Sequence, residues 1–127
     1  MSDRLTDART ELAEALQGMQ TVKAVYDEWP SKPTVPSAIV VPGDPYITYG
    51  TAGTAFGEFS INLTVLLVTG YSASNKVVNS SMDALIVDVL EALKGSEFTI
   101  GEIEAPAPIN VAGTQYLGAA FTVTTNY

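Results

Sequence analysis

The strongest constraint on the fold of this 127-residue chain is one alternating stretch near its middle, EFSINLTVLLVT (58–69). Apolar side chains occupy every second position from Phe59 to Leu67, with mostly polar ones between them. Such alternation predicts a β-strand that packs one face against a core. Leu66 and Val68 make its far end apolar on both faces, so we expect a helix on one side of that end and further structure on the other.

A segment rich in Gly, Thr and Tyr precedes the strand, GDPYITYGTAGTAFG (43–57). We interpret it as a long loop, and the entropy cost of ordering such a loop is normally recovered in contacts. Tyr46 and Tyr49 fit an interface anchor, while an alternative in which they fold back over the edge of their own sheet stays open. The candidate interface residues are Asp44, Tyr46, Tyr49, Phe56 and Glu58.

The remaining pattern predicts a first helix that starts near Ser2 or Asp3 and ends near Gly18. A second helix is predicted to be capped by Ser72 or Ser74, to have an inward stripe from Val78 to Leu93, and to end at Gly95. Further strands are predicted over 21–29, 37–41, 98–103 and 116–125, with a stiff proline-rich connection at 30–36 and a loop at 105–113. The order α-β-β-β-α-β-β predicts one α+β domain over 1–127. Its sheet is expected to be largely antiparallel, with four to five strands and both helices packed on one face.

The composition is unusually poor in charge. Charged residues make up 16% of the chain and apolar residues 46%, which is enough for one core. We interpret the shortage of charge as surface that neighbouring subunits cover, although a large core under a Ser- and Thr-rich surface is the alternative. The candidate residues for subunit packing are Leu66, Val68 and Tyr116.

The sequence offers little catalytic chemistry. It contains no His and no Cys, which removes the commonest general base and the commonest metal ligands. The carboxylate pairs Asp88 with Glu91 and Glu102 with Glu104 have no specific spacing and are interpreted as solvated. We therefore expect no enzyme activity, no cofactor and no metal site.

The loop glycines do not form a phosphate-binding motif. No Lys follows Gly50, Gly53 or Gly57, and a strand rather than a helix comes next. The net charge of −8 argues against tight nucleic-acid binding, and the longest aliphatic run, 65–68, is too short to span a membrane.

Four segments resemble the tail terminator proteins of long-tailed phages, particularly those of actinobacterial hosts. They are DRLTDARTELAEAL (3–16), AIVVPGDPYIT (38–48), FGEFSINLTVLLVTG (56–70) and FTVTTNY (121–127). The resemblance covers nearly the whole chain, and its motifs are structural rather than catalytic. It implies a hexameric ring in the neck of the virion, assembled in the host cytoplasm.

According to this resemblance, the ring caps the tail tube, stops addition of tube protein and presents a docking surface to the head-side connector. DNA would pass through its lumen without specific binding, and Asp44 and Glu58 are candidates to face the lumen or the tube. Two alternatives stay open. One is a stopper or tail-completion protein of the neck, and the other is a monomeric binding domain unrelated to phage.

Overall fold

A computed structural model describes residues 4–27, 32, 34–49, 59–70, 75–111 and 113–126. These residues form two helices and one six-stranded sheet, which confirms the predicted α+β class. In chain order the elements are α1 (Arg4–Gln17), β1 (Ala24–Tyr26), β2 (Ser37–Tyr49), β3 (Phe59–Gly70), α2 (Asn75–Leu93), β4 (Thr99–Ile103), β5 (Ala107–Val111) and β6 (Thr114–Asn126). The structure thus has one strand more than the predicted order.

The sheet is largely antiparallel, as predicted. Its strands lie in the order β1-β2-β3-β6-β4, and only β1 and β2 run parallel. Strands β4 and β5 lie end to end along the same edge of β6. Strand β4 pairs with 121–124 and β5 with 114–118, and between them the Glu104 N–H donates to the Ala120 carbonyl at 3.0 Å. Strand β6 therefore has partners along both of its edges.

Both helices pack on one face of the sheet and enclose the main core with it. The alternation predicted for the middle strand is confirmed, because its odd-numbered residues from Ile61 to Leu67 are fully buried there. Met82, Leu85, Val89 and Leu93 form the buried stripe of α2. Gly95 ends this helix with a φ of 76°, a conformation that glycine adopts without a Cβ penalty.

The strand predicted to end at Pro42 continues as β2 to Tyr49, with a shift in register between Pro42 and Ile47. Two local features make this possible. Strand β1 pairs only with the first three residues of β2, so among the described strands Pro42 has a partner on one side alone. Gly43 passes so close to β3 that a Cβ would lie 2.6 Å from the Asn62 carbonyl oxygen. The predicted loop over 43–57 is thus wrong for its first seven residues, and its remainder lies outside the described residues.

The predicted loop at 105–113 is also corrected, because it contains β5. Pro108 of β5 pairs with Leu117, and β5 is an edge strand among the described strands, where a residue without an N–H is tolerated. Gly113 has a φ of 86°, and its N–H donates to the Asn110 side-chain oxygen at 3.0 Å.

The first strand, β1, spans only Ala24–Tyr26 and is therefore shorter than the predicted 21–29. Thr21 bonds to α2 instead of joining the sheet. Its N–H and its hydroxyl both donate to Oδ2 of Asp88, at 3.2 and 2.7 Å. The far end of the prediction, 28–29, lies outside the described residues.

Candidate functional surface

The sheet has a second face, opposite α1 and α2, which we call the outer face. It carries the alternate residues of β2, β3 and β6, and its character changes along these strands. At one end Ile39, Val68 and Tyr116 form a second buried apolar cluster. We call this end the apolar zone and the other end, around Asn62, the polar zone.

The apolar zone is covered by the same chain. Ile109 and Val111 of β5 pack against it, together with Val35 from the connection before β2. Gly118 leaves room for this cover, since a Cβ there would lie 2.8 Å from Cδ1 of Ile109. The structure expected on the second side of the middle strand is therefore supplied within the subunit.

This cover bears on the three residues predicted for subunit packing. Val68 is 0% exposed and Tyr116 6% exposed, both inside the second cluster. Leu66 is half-buried and packs at the margin of the same cluster. Of the three, only Leu66 keeps appreciable surface for a neighbouring subunit, and the interface role of all three stays a prediction.

The polar zone is held by a hydrogen-bonded row across three strands. The Asn62 amide donates to the Thr48 hydroxyl at 2.6 Å, and the Thr124 hydroxyl donates to the Asn62 side-chain oxygen at 2.9 Å. Ser60 and Thr64 lie on either side of Asn62 on the same face of β3, both half-buried. Hydroxyl and amide groups therefore replace the aliphatic side chains of the apolar zone.

A depression of about 320 Å³ lies where the polar zone meets β4. The carboxylates of Glu102 and Glu104 are exposed at its margin. A bulge between Ile100 and Ile103 interrupts the pairing of β4 with β6 at this point. The residues that line the depression are Thr64, Glu102, Glu104, Ala120, Phe121 and Thr122.

The outer face has a further chemical property that follows from the placement of the strands. None of the six strands contains a Lys or an Arg. The basic residues lie in helices or in connections between elements: Arg4, Arg9, Lys23, Lys32, Lys76 and Lys94. The strands themselves therefore contribute only neutral or acidic side chains to this face.

The aromatic pair assigned to a loop lies in a strand. Tyr46 is half-buried and packs against the main core of its own chain, which favours the alternative in which the pair folds back on its own sheet. Asp44 and Tyr49 also lie in β2, but their side chains are outside the described residues, as are Phe56 and Glu58 entirely. The structure thus does not bring the predicted interface residues together into one described site. Sequence reasoning also missed the polar row, although Thr and Asn at alternate positions of two strands were a visible signal.

The described residues contain no group of three or more His, Cys, Asp or Glu side chains placed to hold a metal ion. Within the same part of the chain, no helix is both long and apolar enough to cross a membrane. The interpretation of Asp88 as solvated is wrong, because its carboxylate is half-buried and accepts two hydrogen bonds from Thr21. The chain matches no protein-family model and no curated protein.

Proposed function

We propose that this chain is a tail terminator, a structural virion protein whose copies close into a six-membered ring. The ring caps the tail tube, ends its polymerisation and offers a docking surface to the head-side connector. The proposal rests on the resemblance of four segments spread over nearly the whole chain. It is supported by an α+β subunit in which both described helices pack on the same face of the sheet.

The structural observation that adds most to this resemblance is the absence of Lys and Arg from the described strands. A protein binds DNA mainly through Lys and Arg contacts to phosphates, so a surface without them holds DNA weakly. With the outer face directed inward, the lumen would present the hydroxyl groups of the polar zone and the carboxylates of Glu102 and Glu104. Six copies would together carry six times the net charge of −8. DNA could then slide through without adhering.

Termination itself would be geometric. A head-to-tail interface closes into a ring when its rotation matches the ring order. One side of the ring would imitate a further tube layer, whereas the other side would lack the tube's docking surface, so growth stops there. The low charged fraction of 16% is consistent with extensive contacts of this kind.

The test is the length distribution of tails assembled with and without the protein. Uniform tails only in its presence identify a terminator. Tails of normal length that fail to join heads would identify a connector of the neck instead. Native mass spectrometry of the protein bound to tube rings should give a six-fold stoichiometry, and a monomer that never joins the tube would overturn the proposal.

The lumen assignment has its own test. The double variant Glu102→Lys/Glu104→Lys should assemble normally but slow DNA ejection, because four units of charge per subunit then change in favour of phosphate binding. The matched control is Glu14→Lys/Glu97→Lys, which changes two exposed carboxylates outside the sheet by the same amount. Equal ejection rates for both variants would show that the outer face does not line the DNA path, while leaving the terminator function intact.

A further inference from the structure

The exposed surface of α2 has an apolar centre. Val87 is 56% exposed and Leu90 44% exposed, and they are the two large apolar side chains exposed among the described residues. They lie three residues apart, so they are neighbours on the helix surface. The opposite side of α2 is packed in the main core, so this pair points away from the sheet.

Two charged residues extend this pair into a stripe. Asp83 lies one turn before Val87, and Lys94 lies one turn after Leu90, directly beyond the end of the helix. All four are exposed, and the Lys94 N–H continues the helical turn by donating to the Glu91 carbonyl at 3.4 Å. Spacings of four, three and four residues are those of a coiled-coil seam. We call these four residues the α2 stripe.

The α2 stripe is complementary to itself in one orientation only. Its charges have opposite sign and lie equally far from the midpoint between Val87 and Leu90. If two such stripes met in parallel, Asp83 would face Asp83 and Lys94 would face Lys94, which is repulsive. In the antiparallel orientation each carboxylate faces an ammonium group.

We propose that a second copy of this chain docks on the α2 stripe, antiparallel and about a two-fold axis. Val87 packs against the partner subunit's Leu90, and Asp83 pairs with the partner subunit's Lys94. This contact is isologous, whereas a six-membered cyclic ring closes through head-to-tail contacts. The inference is therefore independent of the proposed function and describes a separate interface.

The expected association is weak. One pair of helices buries less than the roughly 1,200 Å² of a standard stable interface. Two chains of charge −8 also repel each other, but at 0.15 M salt the Debye length is about 8 Å. Long-range repulsion is then screened, while the contact between Asp83 and the partner's Lys94 persists.

Sedimentation equilibrium of the full chain tests the contact through charge exchange. Asp83→Lys and Lys94→Asp should each weaken dimerisation about tenfold or more, since each turns two attractive pairs into repulsive ones. An equimolar mixture of the two variants should restore association, as should the double variant. The matched control Glu14→Lys, on the exposed side of α1, should leave dimerisation no weaker than in the wild type.

Disulfide cross-linking tests the relative orientation of the two helices. Because the natural chain has no Cys, only introduced cysteines can react. Asp83→Cys and Lys94→Cys chains should form a disulfide when mixed and not when separate. In an antiparallel pair, equivalent positions lie about 16 Å apart along the helices, beyond the reach of a disulfide. Disulfides formed by each variant alone would indicate parallel pairing and overturn the proposal. A wild-type chain that stays monomeric at the highest soluble concentration would overturn it as well. So would an equimolar mixture of Asp83→Lys and Lys94→Asp that associates no more strongly than either variant alone.

Discussion

The two faces of the sheet differ in how uniform the polarity of their side chains is along the strands. The face beneath α1 and α2 is apolar at each odd-numbered residue of β3 from Ile61 to Leu67. The outer face changes from the buried cluster around Val68 to the hydrogen-bonded row around Asn62 within the same strand. Strand β3 therefore lines the main core with one face and contributes to both the apolar zone and the polar zone with the other.

This difference shows which part of the sheet determines the fold. A continuous apolar face brings both helices onto one side and sets the register, because a one-residue slip would turn every buried side chain toward the other face. The outer face contributes less to the fold and can carry a surface suited to contacts. Four experiments test this distinction, taken in order of expected effect.

The sharpest test uses successive residues on opposite faces. Leu67→Ala should lower the free energy of unfolding by about 3 kcal/mol, because it opens a cavity in the main core. Leu66→Ala should cost only about 1 kcal/mol, since Leu66 is already half-exposed. Urea unfolding measures both. Equal losses would mean that the outer face contributes as much to the fold as the core face.

A second experiment tests the cover over the apolar zone. Gly118→Val should cost about 2 kcal/mol, because even its Cβ would lie 2.8 Å from Ile109. Ile109→Ala in that background should then cost less than it does in the wild type. The control is Gly101→Val, where a Cβ would be 3.4 Å from its nearest atom. Additive losses of unfolding free energy in the double variant would show that Ile109 of β5 does not limit the space for a side chain at position 118.

A third experiment concerns the polar tie at the border of the core. Thr21→Val should cost about 1 kcal/mol, since it removes the hydroxyl that donates to Asp88. A thermal double-mutant cycle with Asp88→Ala should show coupling between the two positions. Thr99→Val, at an exposed strand position, serves as the control and should change stability little. A cycle without coupling would mean that apolar packing alone fixes the start of β1.

The smallest effect is expected in the polar zone. Thr124→Val should cost about 0.5 kcal/mol, because its hydrogen bond to Asn62 is only partly buried and water can replace it. Ser60→Ala on the same face is the comparison. A loss above that of Leu66→Ala would show that the hydrogen-bonded row, rather than the apolar zone, holds the outer face together.

The elements with a strong hydrophobic period were predictable from the sequence, whereas two segments that contain proline were predicted as loops although they form strands. Strand β3 and helix α2 combine an uninterrupted pattern with a clear end, as at Gly95. Prolines occur in the second half of β2 and in β5, and prolines usually mark loops. They form strands because, among the described strands, Pro42 and Pro108 have a pairing partner on one side only. A sequence pattern does not show which strand ends up at an edge.

The surface was less predictable than the fold. Tyr46 was assigned to an interface because it was assigned to a loop; the structure places it in β2, half-buried against the main core, and its interface role stays a prediction. The lack of basic residues in the strands was visible in the sequence only once the strands were known. The helical spacing of Met82, Leu85, Val89 and Leu93 predicted the inward side of α2, whereas the exposure of Val87 and Leu90 became visible only in the folded chain.

The central place of β6 has a consequence for how the chain is made. This strand follows every other described element in the sequence, yet it pairs with β3 over eleven residues and holds β4 and β5 as well. During synthesis, the edge of β3 that pairs with β6 has no partner among the described strands until β6 has left the ribosome. At about 5–20 residues per second this exposure lasts for seconds, during which neighbouring nascent chains can pair with the open edge.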